Sequence, residues 1–215
     1  MRQIKAVIRY NFMGFYKKPK VILTFLLGFI LCFLLSSRIM PVIQAYKSPV
    51  QMLEPFLWTF GDTTAILLSS VLLLLLFSDL PVLSAITPYY LCRTTKKRWL
   101  FGQLFYVAAV SGIYTVFMLG ATMILCAKVG YPGNIWSNTA AMLAYSKLGE
   151  DLNVPSTVKV MESVTPYGCT AQVILLLFLY ILCLSFIVLA GNLLPGKNRG
   201  LVAGLLFCLY GFLLE

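Results

Sequence analysis

The chain has no histidine and only seven acidic residues in 215. Without imidazole there can be no zinc site built on histidine and no Ser–His or Cys–His nucleophilic pair. Charged residues make up 11% of the chain, against roughly 25% in soluble domains. Six cysteines are present, none of them in a Cys-x-x-Cys pair. There is no Gly-x-Ser-x-Gly elbow and no pair of carboxylates set on one helix for general acid–base work. There is also no Gly-x-x-x-x-Gly-Lys-Ser/Thr loop, so the chain does not cradle nucleotide phosphates in that way. Catalytic residues, bound cofactors and metal ligands are therefore not expected, and the chain does not read as an enzyme.

What is abundant is apolar. Hydrophobic residues make up 60% of the chain and mean hydropathy is +0.89. A bilayer core needs about 20 consecutive apolar residues per helix, and several runs approach or reach that length. The reading is an all-α integral membrane protein in a single domain over 1–215, with five predicted spans at 21–41, 57–77, 99–127, 171–194 and 201–215. The third run is longer than a bilayer requires, which predicts tilt or protrusion. The fifth, "LVAGLLFCLYGFLLE", is short for a full crossing, which predicts an incomplete helix or a chain that continues. The first run follows a basic start, but "SSRIMP" offers no small-x-small cleavage pattern, so it reads as a retained helix and not a signal peptide.

Charge placement sets the orientation. With the N-terminus inside, segments 1–20, 78–99 and 195–200 are cytoplasmic and hold twelve of the seventeen Lys and Arg residues. The outer side keeps Arg38, Lys47, Lys128, Lys147 and Lys159, with the acids Glu54, Glu150, Asp151 and Glu162. That bias follows the positive-inside rule. It also accounts for the net charge of +10 without nucleic acid, because no basic helix is interleaved with exposed aromatics. Asp62 and Asp79 fall near the two ends of the second span, away from mid-bilayer, which gives little support to a proton-coupled carrier.

At the N-terminus, Ile4, Val7, Ile8, Asn11 or Phe12, and Phe15 recur at helical spacing, with Arg2, Lys5 and Arg9 largely on another face. This pattern suits an interfacial amphipathic helix over 1–18, ending near Pro19, or equally a basic flank to the first span. The outer loop, 129–170, is the one sizeable polar insertion. Ser137 is a plausible N-cap for a helix ending near Gly149, and "PSTVKVMES" suits a second short helix. Cys126 and Cys169 flank this loop, and a disulfide between them is one option that spacing leaves open. Gly200 and Gly204 form a Gly-x-x-x-Gly, better suited to packing within this chain than to a dimer.

The densest local pattern is "SDLPVLSAITPYYLCRTTKKRW", joining the second and third spans on the cytoplasmic side. Ser78 or Asp79 can cap a short helix with Pro81 in its first turn, and Pro88 should stop it. Thr94 or Thr95 can cap the third span. Lys96, Lys97 and Arg98 then sit at a helix N-terminus, which the macrodipole disfavours by a few tenths of a kcal/mol each. Something else must favour cations there. Anionic headgroups do so, at about 1 kcal/mol per charge, and so would an acidic groove on a cytoplasmic partner. Tyr89, Tyr90 and Trp99 suit either surface.

The run "FSDLPVLSAITPYYLCRTTKKRWLFGQLFY" resembles ABC-2-type transporter permeases of Gram-positive bacteria. The matching residues are Asp79, Pro81, Pro88, Tyr89, Arg93, Thr94, Arg98 and Trp99. The resemblance covers about thirty residues in text and the whole chain in layout. It implies six spans, of which the sixth is missing here, in a multi-pass protein of the bacterial cell membrane. It implies an elbow helix on the membrane surface over 2–16, using Arg2, Lys5, Arg9, Phe12 and Phe15. It implies a coupling helix over 79–86 that docks on a separate ATPase, with 89–98 beside it. The contact residues would be Asp79, Pro81, Leu83, Tyr89, Tyr90, Arg93, Lys96, Lys97 and Arg98. A second permease chain, identical or homologous, would complete the membrane unit, and ATP and Mg would bind the partner ATPase. The competing expectation is a membrane scaffold or anchoring subunit that does not transport. The transported substrate is not legible; peptides, lipids and other amphiphiles all suit the family.

Overall fold

A computed structural model describes residues 2–81, 95–146, 149, 154, 158–194 and 198–213. Helix dominates. In chain order the elements are α1 (Arg2–Phe12), a 3-10 turn (Phe15–Lys17), α2 (Pro19–Tyr46), β1 (Val50–Gln51), α3 (Glu54–Gly61), α4 (Thr63–Phe77), α5 (Lys96–Cys126), β2 (Gly130–Tyr131), α6 (Asn138–Tyr145), α7 (Val158–Ser163), α8 (Pro166–Leu193) and α9 (Arg199–Leu213).

Among the described residues three helices are long and apolar enough to cross a membrane, namely Pro19–Gln44 within α2, α5 and α8, with mean hydropathies of 2.2, 1.9 and 3.1. They mark the chain as a membrane protein. At 1.5 Å per residue each exceeds the roughly 30 Å of a hydrocarbon core. The expectation of five continuous spans is not met. The second expected span, 57–77, is broken between α3 and α4 by a bend of 84°. If that bent pair counts as one span the total is four. The break lies at Asp62, whose backbone is extended, with φ −88° and ψ 122°. Its carboxylate accepts from the Thr64 N–H at 3.1 Å, capping α4. The other carboxylate oxygen lies 3.7 Å from the Arg38 guanidinium. A capping acid inside an apolar run starts a new helix. The fifth expected span corresponds to α9, which has 15 described residues and is shorter than a crossing.

Other boundaries moved for local reasons. α1 ends at Phe12, before Gly14 at φ 81°, and Pro19 opens α2 instead of closing α1. Proline at the first helical position gives up an N–H that would have had no helical partner. Pro41, expected at the end of the first span, lies inside α2. That helix runs to Tyr46, before Lys47 at φ 47°. α8 starts at Pro166, five residues earlier than expected, with the Cys169 N–H donating to the Thr165 carbonyl at 2.9 Å.

The chain divides into two compact units. One comprises residues 1–26, 70–114 and 178–215; the other comprises 27–69 and 115–177. In the first, Leu73, Phe77, Tyr106, Val110, Leu184 and Val188 are buried. Gly204 lies so close to Leu74 and Val188 that any side chain there would collide. The Gly-x-x-x-Gly stripe thus packs within the chain at Gly200 and Gly204. In the second, Ile39, Ile43, Val50, Trp58, Ala140 and Leu143 form the core, with Trp136 and Met161 against it. Here β1 and β2 pair in parallel, Val50 with Gly130 and Gln51 with Tyr131.

Candidate functional site

The first unit gathers the described part of the basic joint. α1 is amphipathic as its spacing predicts: Val7 and Asn11 are buried, and Lys5 and Arg9 are exposed. Its buried face meets α5. A Cβ on Gly102 would lie 2.7 Å from Val7 Cγ1, so only glycine lets the two helices come this close. Asn11 Nδ2 donates to Gln103 Oε1 at 3.0 Å, a buried amide pair. The Phe12 ring meets Tyr106 edge-on with centroids 4.9 Å apart, and Phe15 lies 6.4 Å from the same ring. Of the expected elbow residues, then, Phe12 and Phe15 pack on a span, and Lys5 and Arg9 point outward.

The exit from α4 is tied at two points. Lys20 Nζ donates to Asp79 Oδ1 at 2.6 Å and to Ser78 Oγ at 3.0 Å. Asn192 Nδ2 donates to the Leu80 carbonyl at 2.6 Å, and Asn192 Oδ1 accepts from the Gly200 N–H at 3.0 Å. One side chain on α8 therefore holds both the end of the α4 segment and the start of α9. Pro81 is buried. Lys96, Lys97 and Arg98 are exposed at the start of α5, and Arg98 Nη1 donates to Gln3 Oε1 at 2.8 Å. Of the residues expected to meet an ATPase, the structure places Asp79, Pro81, Lys96, Lys97 and Arg98 in this unit. Leu83, Tyr89, Tyr90 and Arg93 lie outside the described residues, as does the side chain of Arg2.

The second unit holds a polar cluster that the sequence reading passed over. Glu54, taken only as an outer-loop acid, is fully buried. Its Oε1 accepts from the Ser137 N–H at 2.8 Å. Its Oε2 accepts from Ser137 Oγ at 2.5 Å and from the Gln51 N–H at 3.2 Å. Burial opposes ionisation of such a group, and three donors favour it. Gln51 Oε1 in turn accepts from the N–H groups of Leu53 and Glu54 at 2.8 and 3.1 Å. The Gln51–Glu54 exchange is reciprocal, in the manner of a capping box. Ser137 caps α6 as expected, accepting from the Ala140 N–H at 3.0 Å. Burial and the nearby Glu54 carboxylate push the Tyr131 phenol above its ordinary range. Gln51, three residues before Glu54-Pro55, was the available signal. Cys126 and Cys169, left open as a pair, are free thiols.

No family model, curated protein or solved structure matches this chain.

Proposed function

We propose that this chain is the membrane-spanning permease subunit of an ATP-driven ABC exporter, in the cell membrane of a bacterium. The observation that carries the reading is the joint at the end of α4. Its text resembles the coupling segment of ABC-2 permeases, and Ser78, Asp79 and Leu80 are anchored to α2 and α8 by Lys20 and Asn192. A coupling segment must pass a push on to the spans, and anchors of this kind do that. The partition of the chain supports the same orientation. Every segment read as cytoplasmic falls within the first unit, and the outer loop falls within the second.

In this reading a cytoplasmic ATPase docks on 79–98, through Asp79 and the exposed cations Lys96, Lys97 and Arg98. ATP and Mg belong to that partner. Closure of the ATPase pair moves the joint, and Lys20 and Asn192 carry the movement into α2, α8 and α9. A second permease chain completes the cavity. The cargo is a peptide, a lipid or another amphiphile.

The test is gentle extraction of the tagged full chain from its native membrane and identification of what co-purifies. A stoichiometric Walker-motif ATPase, lost in the Lys96→Glu/Lys97→Glu/Arg98→Glu variant, is the expected result. Other membrane proteins with no ATPase would overturn it and leave a scaffold or anchoring subunit.

A further inference from the structure

In the second unit, the loop between β2 and α6 is tightly bound and yet displays an apolar side chain. The Tyr131 hydroxyl donates back to the Ile135 carbonyl at 2.8 Å. A Cβ on Gly133 would lie 2.8 Å from the Tyr131 ring, so glycine is what lets the turn close over it. Asn134 Oδ1 accepts from the Tyr167 N–H at 3.1 Å, and Trp136 Nε1 donates to the Val164 carbonyl at 2.9 Å. These two bonds, one on either side of Ile135, hook the loop to the entry of α8. Ile135 itself is 75% exposed, the most exposed aliphatic side chain described in that unit. A single exposed isoleucine needs no explanation, but the setting of this one does. No charged residue stands between Lys128 and Lys147, nor between Glu162 and Lys197. α8 is long and apolar enough to cross a membrane, with 28 residues. Its length is about 42 Å, close to the roughly 40–45 Å of a bilayer with its headgroups. Its first turn therefore lies at headgroup level, and the loop hooked to it lies there too. Tyr167, Ala171, Leu175 and Leu179 form one exposed row at four-residue spacing. The exposed patch at the entry thus runs on into the apolar surface of the span.

We propose that the 131–136 loop is a membrane anchor, seated in the phospholipid interface beside the entry of α8. Ile135 enters the acyl boundary. Tyr131, Trp136 and Tyr167 stand around it at headgroup level, where aromatic side chains with one polar end collect. Tyr131 and Trp136 already donate to backbone carbonyls, so their polar hydrogens are not stranded on leaving water. The three hydrogen bonds also fix the loop before it meets lipid, so little order is lost on insertion. The polar insertion is then divided in use. Residues 131–136 belong to the membrane surface, while Tyr145 donates to the exposed Glu162 carboxylate at 3.3 Å, a pair that faces water. The inference rests on α8 being a span, not on transport.

The full chain is placed in phosphatidylcholine nanodiscs and exposed to hydroxyl radicals generated in the water, and mass spectrometry reads oxidation side chain by side chain. Tyr145, 66% exposed in the same unit, is the water-facing reference. Corrected for the intrinsic reactivity of each side chain, Ile135 and Tyr167 should be oxidised about fivefold less than Tyr145, because lipid keeps water away from them. Ile135→Asp should lift the loop and raise Tyr167 oxidation severalfold, while Ile135→Leu leaves the protection intact. Photocrosslinking identifies what covers the loop: Ile135→benzoylphenylalanine should capture phospholipid, and Tyr145→benzoylphenylalanine should not. Oxidation of Ile135 and Tyr167 at the Tyr145 rate would overturn the proposal. So would protection of Tyr167 that survives Ile135→Asp, since the loop would then not be what seats it. Capture of a second protein chain at position 135 in place of lipid would reassign the patch to a protein contact and overturn it as well.

Discussion

The two units differ in how they handle charge. The first holds twelve of the seventeen cations and two of the seven acids; the second holds five of each. The whole net charge of +10 therefore belongs to the first unit. Its described cations stay at the surface, and its one described ion pair, Lys20 with Asp79, has side chains 44% and 56% exposed. The second unit is neutral, yet it buries a carboxylate completely and surrounds it with donors. The contrast separates two uses of charge. A surplus of surface cations orients a chain and meets anionic surfaces while adding little stability. A buried acid with every oxygen satisfied specifies one arrangement of its loops, and is costly to disturb.

The sharpest way to break the contrast is at Glu54. Glu54→Ala removes the acceptor for two backbone N–H groups and one hydroxyl. Each stranded buried donor costs about 1–3 kcal/mol, so the expected loss is roughly 3 kcal/mol or more. Thermal unfolding in detergent, with Lys5→Ala as the counterpart in the first unit, measures it. The Lys5 change should stay within about 0.5 kcal/mol, as surface substitutions do. Equal effects would remove the distinction between the units.

The first unit has its own sensitive points, but they are steric. Gly102→Ala would set a methyl group 2.7 Å from Val7 Cγ1, and overpacking of this kind costs about 1–3 kcal/mol. α1 must shift off α5. The expected readouts are a lower melting temperature and faster proteolysis of the N-terminal helix. Val7→Ala in the same background should recover part of the loss, because it clears the contacting methyls. Without such rescue, the close approach of Val7 to Gly102 would not be what holds α1 in place.

The legible parts of this fold are those written in local pattern. The amphipathic N-terminal helix, the Ser137 cap and the long apolar helices α2, α5 and α8 follow from spacing, a capping residue and run length. Boundaries failed where a rule has two outcomes. Proline can end a helix or begin one, and Pro19 and Pro166 begin theirs while Pro41 sits within its helix. Asp62 was read as an acid near the end of a span, when an acid that can cap also splits the run. The candidate site was partly legible. The basic joint could be seen as text, but its anchors could not: Lys20 to Asp79 spans 59 residues and Asn192 to Leu80 spans 112. The Glu54 cluster joins residues 83 apart through Ser137. Nothing local announces a pairing at such separations.

The smallest expected effect on stability falls on the residue the proposed function needs most. Lys20→Gln removes a half-exposed ion pair, and exposed pairs contribute about 0–1 kcal/mol. The melting temperature should therefore barely move. Transport should behave otherwise if the joint is a coupling device. Lys20 is, among the described residues, one of two side chains tying the α4 exit to other helices, so its loss should let the ATPase turn over without driving cargo, while binding of the ATPase persists. Asp79→Asn should act in the same direction and more weakly, since Asn can still accept a hydrogen bond from Lys20. The double variant Lys20→Asp/Asp79→Lys, which restores the pair in reverse, should recover part of the coupling. ATPase activity and transport measured together in proteoliposomes decide it. If Lys20→Gln reduces both in proportion, the pair is a structural tie. If it separates hydrolysis from movement of cargo, the largest functional effect in the molecule comes from one of its weakest stabilising contacts, which is what a part that must move during the cycle requires.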